Sequence, residues 1–280
     1  MTLPTPPHQH PFDQALALAS HAAGVLHGRP HPAWANMVGP YGGITAAQML
    51  QAVWLHPDRL GEPVALTVNF AAGLRDAPFV VEARPARTNR STQHWTMALT
   101  QSGEDGASET MITATALTAA RRVTWSATDA PMPAVPRPSD TERRPLPSRQ
   151  VPWLERYDMR FIAGHIPQTW DGAEADSVTC LWMRDDPPRP LDFASLSALA
   201  DVFFPRVWRR RAVMTPIGTV SMTVYFHAGA AELAACGDDF VLGLARAQSF
   251  FNGYFDQSAE LWSEAGQLLA TTHQIVYYKE

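Results

Sequence analysis

Apolar and polar residues alternate along several short segments of the chain, a pattern typical of half-buried β-strands. In the first half, residues 63–70 place one apolar set on a single face, namely Val64, Leu66, Val68 and Phe70. In the second half, residues 218–227 do the same with Val220, Met222, Val224 and Phe226. Further strands are predicted at 79–84, 157–162, 178–183 and 240–246. The short spacing between these segments favours an antiparallel sheet.

Two segments lack this alternation and are instead rich in small and helix-forming residues. Residues 42–54 begin with two glycines and are apolar on most sides, which predicts a helix surrounded by other structure. Residues 195–204 are also helical by pattern, with Pro205 near the predicted end. Each predicted helix precedes a group of predicted strands.

The second half of the chain repeats the plan of the first. Residues 87–95, a polar turn and residues 109–117 have a counterpart in 246–254, a polar turn and 268–276, roughly 160 residues later. Helix-plus-sheet units present twice predict an α+β fold with internal pseudo-symmetry. We expect the two sheets to join edge to edge, because a lone unit leaves an exposed edge strand.

The domain organisation has three parts. Residues 1–122 form the first repeat, and residues 153–280 form the second. Residues 123–152 contain seven prolines, which fix φ and remove backbone donors, so this segment is predicted to be an extended linker.

Composition narrows the function classes. The chain has 280 residues, 46% of them hydrophobic, and a net charge of −5 that gives no attraction to nucleic acid or to anionic membranes. Two cysteines without metal-ligand spacing predict neither a disulfide framework nor a metal site. The N-terminus lacks the basic and apolar regions of a secretory signal, and no apolar run could cross a bilayer. We therefore expect a cytoplasmic protein without membrane or nucleic-acid partners.

Four segments, in order, resemble the acyl-CoA thioesterase II family. They are the glycine-led helix start 39–50, the helix 196–205, the strand 218–227 and the terminal segment 266–274. The resemblance implies a double-hotdog fold and hydrolysis of acyl-CoA to a free acid and coenzyme A, with no cofactor. Ser221-Met222 departs from the family, which carries an Asp-His pair at this place.

Asp201, Gln274 and Thr219 are the predicted catalytic residues. The resemblance assigns them to orienting a water, and a carboxylate in an apolar run is costly to bury without partners. Two other interpretations remain at this point: Asp201 on an exposed helix edge or paired with Arg206, and Gln274 as an ordinary exposed strand residue. The first-half strand 111–117 carries no amide, so the polar groups suited to hydrolysis lie in the second repeat.

Gly42, Gly43 and Ser221 are the predicted substrate-binding residues. The N–H groups after the two glycines begin a helix and could bind an oxyanion, although a plain glycine turn is about as consistent with the sequence. Arginines 87, 90, 246 and 209–211 are candidates for contact with the phosphates of coenzyme A. Aromatic residues could line an acyl pocket or form core and interface, namely Trp182, Phe203, Phe204, Trp208, Phe250, Phe251 and Tyr254.

Two alternative functions share the predicted fold. One is a non-catalytic acyl or acyl-CoA binding protein, which the departure at Ser221-Met222 allows. The other is an enoyl-thioester hydratase, which ranks last because neither predicted helix pairs an acid with a nearby histidine. The aromatic content favours assembly into a homodimer or a larger homo-oligomer.

Overall fold

A computed structural model of the chain describes residues 9–146 and 151–280, so parts of the predicted first repeat and linker (1–8 and 147–150) lie outside it. The described helices are α1 (Pro11–Ala15), α2 (Gly42–Trp54), α3 (Phe193–Leu199), α4 (Arg206–Arg211) and α5 (Ala230–Cys236). The first-repeat strands are β1 (Ala19–Ala22), β2 (Val25–Gly28), β3 (Glu62–Phe70), β4 (Phe79–Thr88), β5 (Thr92–Ser102) and β6 (Ser108–Ala119). The second-repeat strands are β7 (Tyr157–Ala163), β8 (Thr179–Asp185), β9 (Ile217–Phe226), β10 (Val241–Arg246), β11 (Phe250–Phe251), β12 (Tyr254–Ser263) and β13 (Leu268–Tyr278).

All of these strands belong to one antiparallel sheet. Its order is β1-β2-β4-β5-β6-β3-β9-β13-β12-β10-β8-β7, with β11 paired to β12. The repeats meet where β3 pairs with β9, and the Thr67 and Thr223 hydroxyl oxygens lie 2.9 Å apart at the centre of that register. The predicted edge-to-edge joining of the two sheets is confirmed.

The register defines which residues of the two repeats are equivalent. Because Thr67 pairs with Thr223 at the centre, β3 corresponds to β9, β6 to β13, β5 to β12 and β4 to β10. Likewise, Leu66 corresponds to Met222, so their partners Ala116 and Gln274 also correspond. Helix α2 corresponds to α3 in the same scheme, and the repeat predicted from the sequence is confirmed.

The two central helices approach each other closely. Nearly every residue of α2 is buried, in agreement with its apolar composition. The Tyr41 hydroxyl, just before α2, donates a hydrogen bond to the Ala198 carbonyl of α3 at 2.6 Å. A Cβ added to Gly43 would lie 2.6 Å from the same Ala198 oxygen, so only glycine permits this approach.

A β-bulge at the same place in each repeat changes the predicted strand faces. The register of β9 shifts between Thr219 and Ser221, and that of β3 shifts between Pro63 and Ala65. The extra residue turns Val220 outward, where it is 37% exposed. The prediction that Val220 faces inward is therefore wrong, whereas Met222, Val224 and Phe226 are buried as predicted.

The second predicted helix is shorter than the sequence pattern indicates. Helix α3 begins at Phe193, capped by the Asp192 side chain, and ends at Leu199 instead of continuing to residue 204. Pro205 disfavours a helical conformation in the residue before it, and α4 starts only at Arg206. Asp201 consequently lies in the turn after α3 and not within a helix.

The described part of the predicted linker before the gap, residues 123–146, contains no strand and runs over the outer face of the second repeat. The Trp182 indole N–H donates to the Pro136 carbonyl at 2.9 Å, and Met132 and Val135 pack on the same apolar cluster. A short 3-10 turn forms at Pro138–Asp140, and a second one follows at Pro152–Arg156. Four short elements, α1, β1, β2 and α5, were not predicted from the sequence.

Replacing Gly43 with alanine should destabilise the fold by about 1–3 kcal/mol, because the new methyl group meets backbone and ring atoms that cannot move independently. Urea unfolding followed by tryptophan fluorescence measures the change. Gly73→Ala is the matched control, since its nearest contact would be Val38 at 3.9 Å. Equal midpoints for the two variants would contradict the close approach of α2 and α3.

Candidate active site

A cavity of about 670 Å³ opens between the two repeats, and we call it the main cavity. Its walls are largely aromatic, formed by Tyr41, Trp153, Trp170, Phe203, Phe204, Trp208 and Phe255. Three further lining residues are Asp201, Gln274 and Thr219. The structure therefore brings all three predicted catalytic side chains to one apolar cavity.

Asp201 belongs to the second repeat but lies against the first turn of α2 in the first repeat. Its carboxylate is partly buried and accepts a hydrogen bond from the Gly43 N–H. A Cβ on Gly42 would stand 2.8 Å from Asp201 Oδ2, so the glycine leaves room for the carboxylate. The N-terminus of α2, with its positive end of the helix dipole, thus faces the acid.

Gln274 holds the other side of the carboxylate. Its Nε2 donates to Asp201 Oδ1 at 2.9 Å and lies 3.4 Å from Met222 Sδ. Gln274 is only 3% exposed, which excludes the interpretation of an ordinary exposed strand residue. The geometry also excludes pairing of Asp201 with Arg206, because the Arg206 guanidinium donates to the Phe204 and Ser177 carbonyls.

Burial raises the pKa of Asp201 to about 7, and the hydrogen bonds from Gln274 and the Gly43 N–H oppose this rise. A carboxylate with a pKa near neutrality is partly ionised at pH 7 and is a stronger base than an ordinary aspartate. Such a shift is typical of groups that transfer protons in active sites.

The bulge in β9 separates the two candidate hydroxyl groups. Thr219 pairs with the buried Val276 and lines the main cavity, while Ser221 pairs with the exposed Ile275. The Ser221 hydroxyl donates to Asn69 Oδ1 at 2.9 Å on the outer face of the sheet. The structure does not bring Ser221 to the cavity, because the extra residue places it on the opposite face from Thr219.

The first repeat lacks the amide and the hydroxyl group at the equivalent strand positions. Ala116 stands for Gln274 and Pro63 for Thr219. Thr115 is exposed on the outer face, and the Gln48 amide donates to the Ala15 carbonyl at 2.8 Å. A second cavity of about 240 Å³ lies at the far ends of α2 and α3, between Trp54 and Phe193. It is the two-fold counterpart of the main cavity and is lined mainly by apolar groups.

Most of the candidate arginines already bind other side chains, and the others are exposed. Arg209, Arg210 and Arg211 form ion pairs with Asp176, Glu174 and Glu280, in the last turn of α4. Arg87 donates to Asn89, and Arg90 and Arg246 are exposed. None of these six lines the main cavity in the described structure.

Of the seven candidate aromatic residues, three line the cavity, namely Phe203, Phe204 and Trp208. Trp182 instead belongs to the apolar cluster under the proline-rich segment, and Phe250 packs on Phe255 outside the cavity. Phe251 and Tyr254 are exposed at 72% and 50%. Three further cavity residues, Tyr41, Trp153 and Gln257, were not predicted from the sequence.

Two family comparisons match successive parts of the chain. Residues 31–119 match the acyl-CoA thioesterase N-terminal domain, and residues 128–278 match the acyl-CoA thioesterase C-terminal domain. The chain belongs to the acyl-CoA thioesterase family. The two matched domains correspond to the first and second repeats of the sheet, so this chain contains both domains of the family.

Several solved structures share the fold of this chain over nearly its whole length. A conserved protein of unknown function with a hotdog fold from Alicyclobacillus acidocaldarius is 50% identical, with a TM-score of 0.90, over 97% of this chain and 99% of that one. A TesB protein from Mycobacterium avium subsp. paratuberculosis is 17% identical, with a TM-score of 0.77, over 96% and 98%. The acyl-CoA thioesterase II TesB2 from Mycobacterium marinum is 19% identical, with a TM-score of 0.73, over 96% and 98%. The predicted double-hotdog fold is confirmed.

No curated protein matches the chain by sequence. Across residues 9–146 and 151–280, no helix has the length and apolar character needed to cross a membrane. Within the same residues, no three His, Cys, Asp or Glu side chains gather as a metal site requires.

The raised pKa of Asp201 predicts a pH-dependent cost to stability. An aspartate whose pKa is higher in the folded chain than in the unfolded chain stabilises the fold while protonated, and this contribution is lost as the pH rises through about 7. Asp201→Asn removes the buried charge, so its melting temperature should exceed that of the wild type by more at pH 8 than at pH 4. Calorimetry at both pH values measures this, with Asp129→Asn as an exposed control. A pH-independent difference would mean that Asp201 is not desolvated.

Proposed function

We propose that this member of the acyl-CoA thioesterase family hydrolyses an acyl-CoA thioester to a free acid and coenzyme A, with Asp201 as the general base. The observation that carries the proposal is the 2.9 Å hydrogen bond between Gln274 Nε2 and Asp201 Oδ1 in a largely apolar cavity. Since the carboxylate is desolvated but held by neutral donors, it is both positioned and basic.

The reaction follows from these groups. A water beside Asp201 attacks the carbonyl carbon of the thioester while the carboxylate accepts its proton. The tetrahedral intermediate then collapses, the carbon–sulfur bond breaks with its electron pair going to sulfur, and Asp201 returns the proton to the leaving thiolate. The products are the free acid and the thiol of coenzyme A, and Asp201 is regenerated.

Gln274 and Thr219 position the water. With Nε2 of Gln274 donating to Asp201, its Oε1 can accept a hydrogen bond from the water. The Thr219 hydroxyl lines the same cavity and has no hydrogen-bond partner among the described residues, so it can donate to the water or accept from it. Together, these groups restrict the orientation of the nucleophile.

The acyl group occupies the aromatic part of the main cavity, where its apolar surface is removed from water. The coenzyme A portion extends to the solvent side, where Met37 and Met214 are more than half exposed. The proposal also includes a cytoplasmic location and a homodimer or larger homo-oligomer, which light scattering can test against the 30.8 kDa mass of one chain.

Asp201→Asn should lower kcat for acyl-CoA hydrolysis by about 10²–10⁴-fold, because the amide cannot accept the proton of the attacking water. Gln274→Ala and Thr219→Ala should lose less, since each removes only a positioning contact. Release of free thiol from acyl-CoA substrates of different chain length measures all three. Thr115→Ala, an exposed threonine on the outer face of the first repeat, is the control and should retain wild-type activity.

If Asp201→Asn hydrolyses acyl-CoA at the wild-type rate, Asp201 is not the base. If the wild type binds acyl-CoA without releasing thiol, the chain is a non-catalytic acyl-CoA binding protein.

The pH dependence of kcat/KM should report the titration of Asp201. Below a pH of about 7 the carboxyl group is protonated and cannot act as a base, so kcat/KM should fall with decreasing pH and level off above about pH 8. Thiol release measured between pH 5 and 9, with substrate well below KM, gives the profile. An activity that stays constant down to pH 5 would contradict the role of a desolvated aspartate.

A further inference from the structure

The hydrolysis mechanism needs a donor for the negative charge that develops on the carbonyl oxygen, and most donors near Asp201 are already used. Both hydrogens of Gln274 Nε2 point to acceptors, one to Asp201 Oδ1 at 2.9 Å and one to Met222 Sδ at 3.4 Å. The Gly43 N–H donates to Asp201, and the Tyr41 hydroxyl donates to the Ala198 carbonyl. The Thr219 hydroxyl has no protein partner among the described residues but positions the water in the proposed mechanism, so the oxyanion requires a different group.

Gln257 is an uncommitted amide directly beside this cluster. It lies on β12 opposite Gln274, so their Cβ atoms are about 5 Å apart on the cavity face of the sheet. The residue is 2% exposed and lines the main cavity. Within the described part of the chain, its side chain has no hydrogen-bond partner.

A buried amide without a partner is costly, and the first repeat avoids that cost. The equivalent of Gln257 there is Trp95, whose indole N–H donates to the Thr118 hydroxyl at 3.1 Å. In the second repeat, the place of Thr118 is taken by Val276, which offers no acceptor. Of these two equivalent positions, the one without a hydrogen-bond partner among the described residues is thus in the repeat that carries Asp201.

We propose that the Gln257 side-chain N–H donates a hydrogen bond to the thioester carbonyl oxygen and stabilises the oxyanion of the tetrahedral intermediate. This role rests on the proposed hydrolysis, in which Asp201 and Gln274 hold the water on the other side of the carbonyl carbon. Asn36 also lines the cavity, but it stands next to Met37, which is 53% exposed, and its Oδ1 accepts from the Trp153 indole N–H. Gln257 is the buried amide of the two.

Gln257→Met keeps the side-chain length and removes the donor, so kcat should fall by about 10²–10³-fold while KM changes little. Gln257→Asn keeps an amide on a shorter side chain that no longer reaches the carbonyl oxygen, so kcat should fall in this variant as well. Thr272→Val is the matched control: it removes another buried, unpartnered polar group from the next strand, outside the cavity, and should retain wild-type kcat. Melting temperatures of all three variants confirm that they are folded.

Binding to two non-hydrolysable ligands separates a substrate contact from a packing role. One is an acyl-CoA ketone in which a methylene replaces the sulfur, and the other is an S-alkyl-CoA thioether without the carbonyl. Calorimetry with the wild type should show tighter binding of the ketone by about 3–10-fold, and this preference should vanish in Gln257→Met but persist in Thr272→Val.

A Gln257→Met variant that keeps both wild-type kcat and the ketone preference would overturn the assignment of Gln257 and leave the proposed hydrolysis intact. A wild type that hydrolyses no thioester and binds neither ligand would instead overturn the proposed function, and the assignment with it. Lower kcat with an unchanged ketone preference would also count against the contact, since a donor to the carbonyl must act in both measurements.

Discussion

One partly buried carboxylate links the two repeats. Asp201 follows the end of α3, and its carboxylate accepts hydrogen bonds from the Gly43 N–H in the first turn of α2 and from the Gln274 amide on β13. A desolvated charge is tolerated only when such donors are fixed in place. The close approach of α2 and α3, the two glycines and the register of β13 all contribute to this arrangement, so the packing of the fold and the basicity of the acid have the same physical origin.

The two repeats share a backbone but differ in the chemistry placed on it. A bulge at Val64 and at Val220 turns the preceding residue towards the interior in both. In the first repeat that residue is Pro63, which offers no side-chain hydrogen bond; in the second it is Thr219, inside the main cavity. The two bulges thus create equivalent backbone positions in the two repeats. The side chain at each position determines whether a polar group faces the interior.

Much of this arrangement could be predicted from the sequence. Strand alternation and the repeated hairpin predicted the α+β class and the internal repeat, whereas the double-hotdog topology was implied by the family resemblance. The absence of an amide in 111–117 indicated which repeat carries the polar groups. The extra residue at Val220 could not be predicted, because strict alternation continues through it and only the register shows the shift. The end of α3 was also misplaced, since its apolar run continues into cavity-lining residues. Gln257 was missed because one amide on a strand has no distinctive pattern.

The second, smaller cavity lies at the opposite ends of α2 and α3, and its lining tolerates amino-acid substitutions that the main cavity does not. Its lining includes Leu50, Trp54, Phe193 and Leu233, where packing is the main requirement and similar apolar volumes can replace one another. At Asp201 and Gln274, in contrast, the size and the hydrogen-bonding capacity of the side chain are both fixed by the partner atoms. The chain therefore holds one constrained cleft and one permissive cleft on the same scaffold, and substitutions in the permissive cleft leave the contacts around Asp201 unchanged.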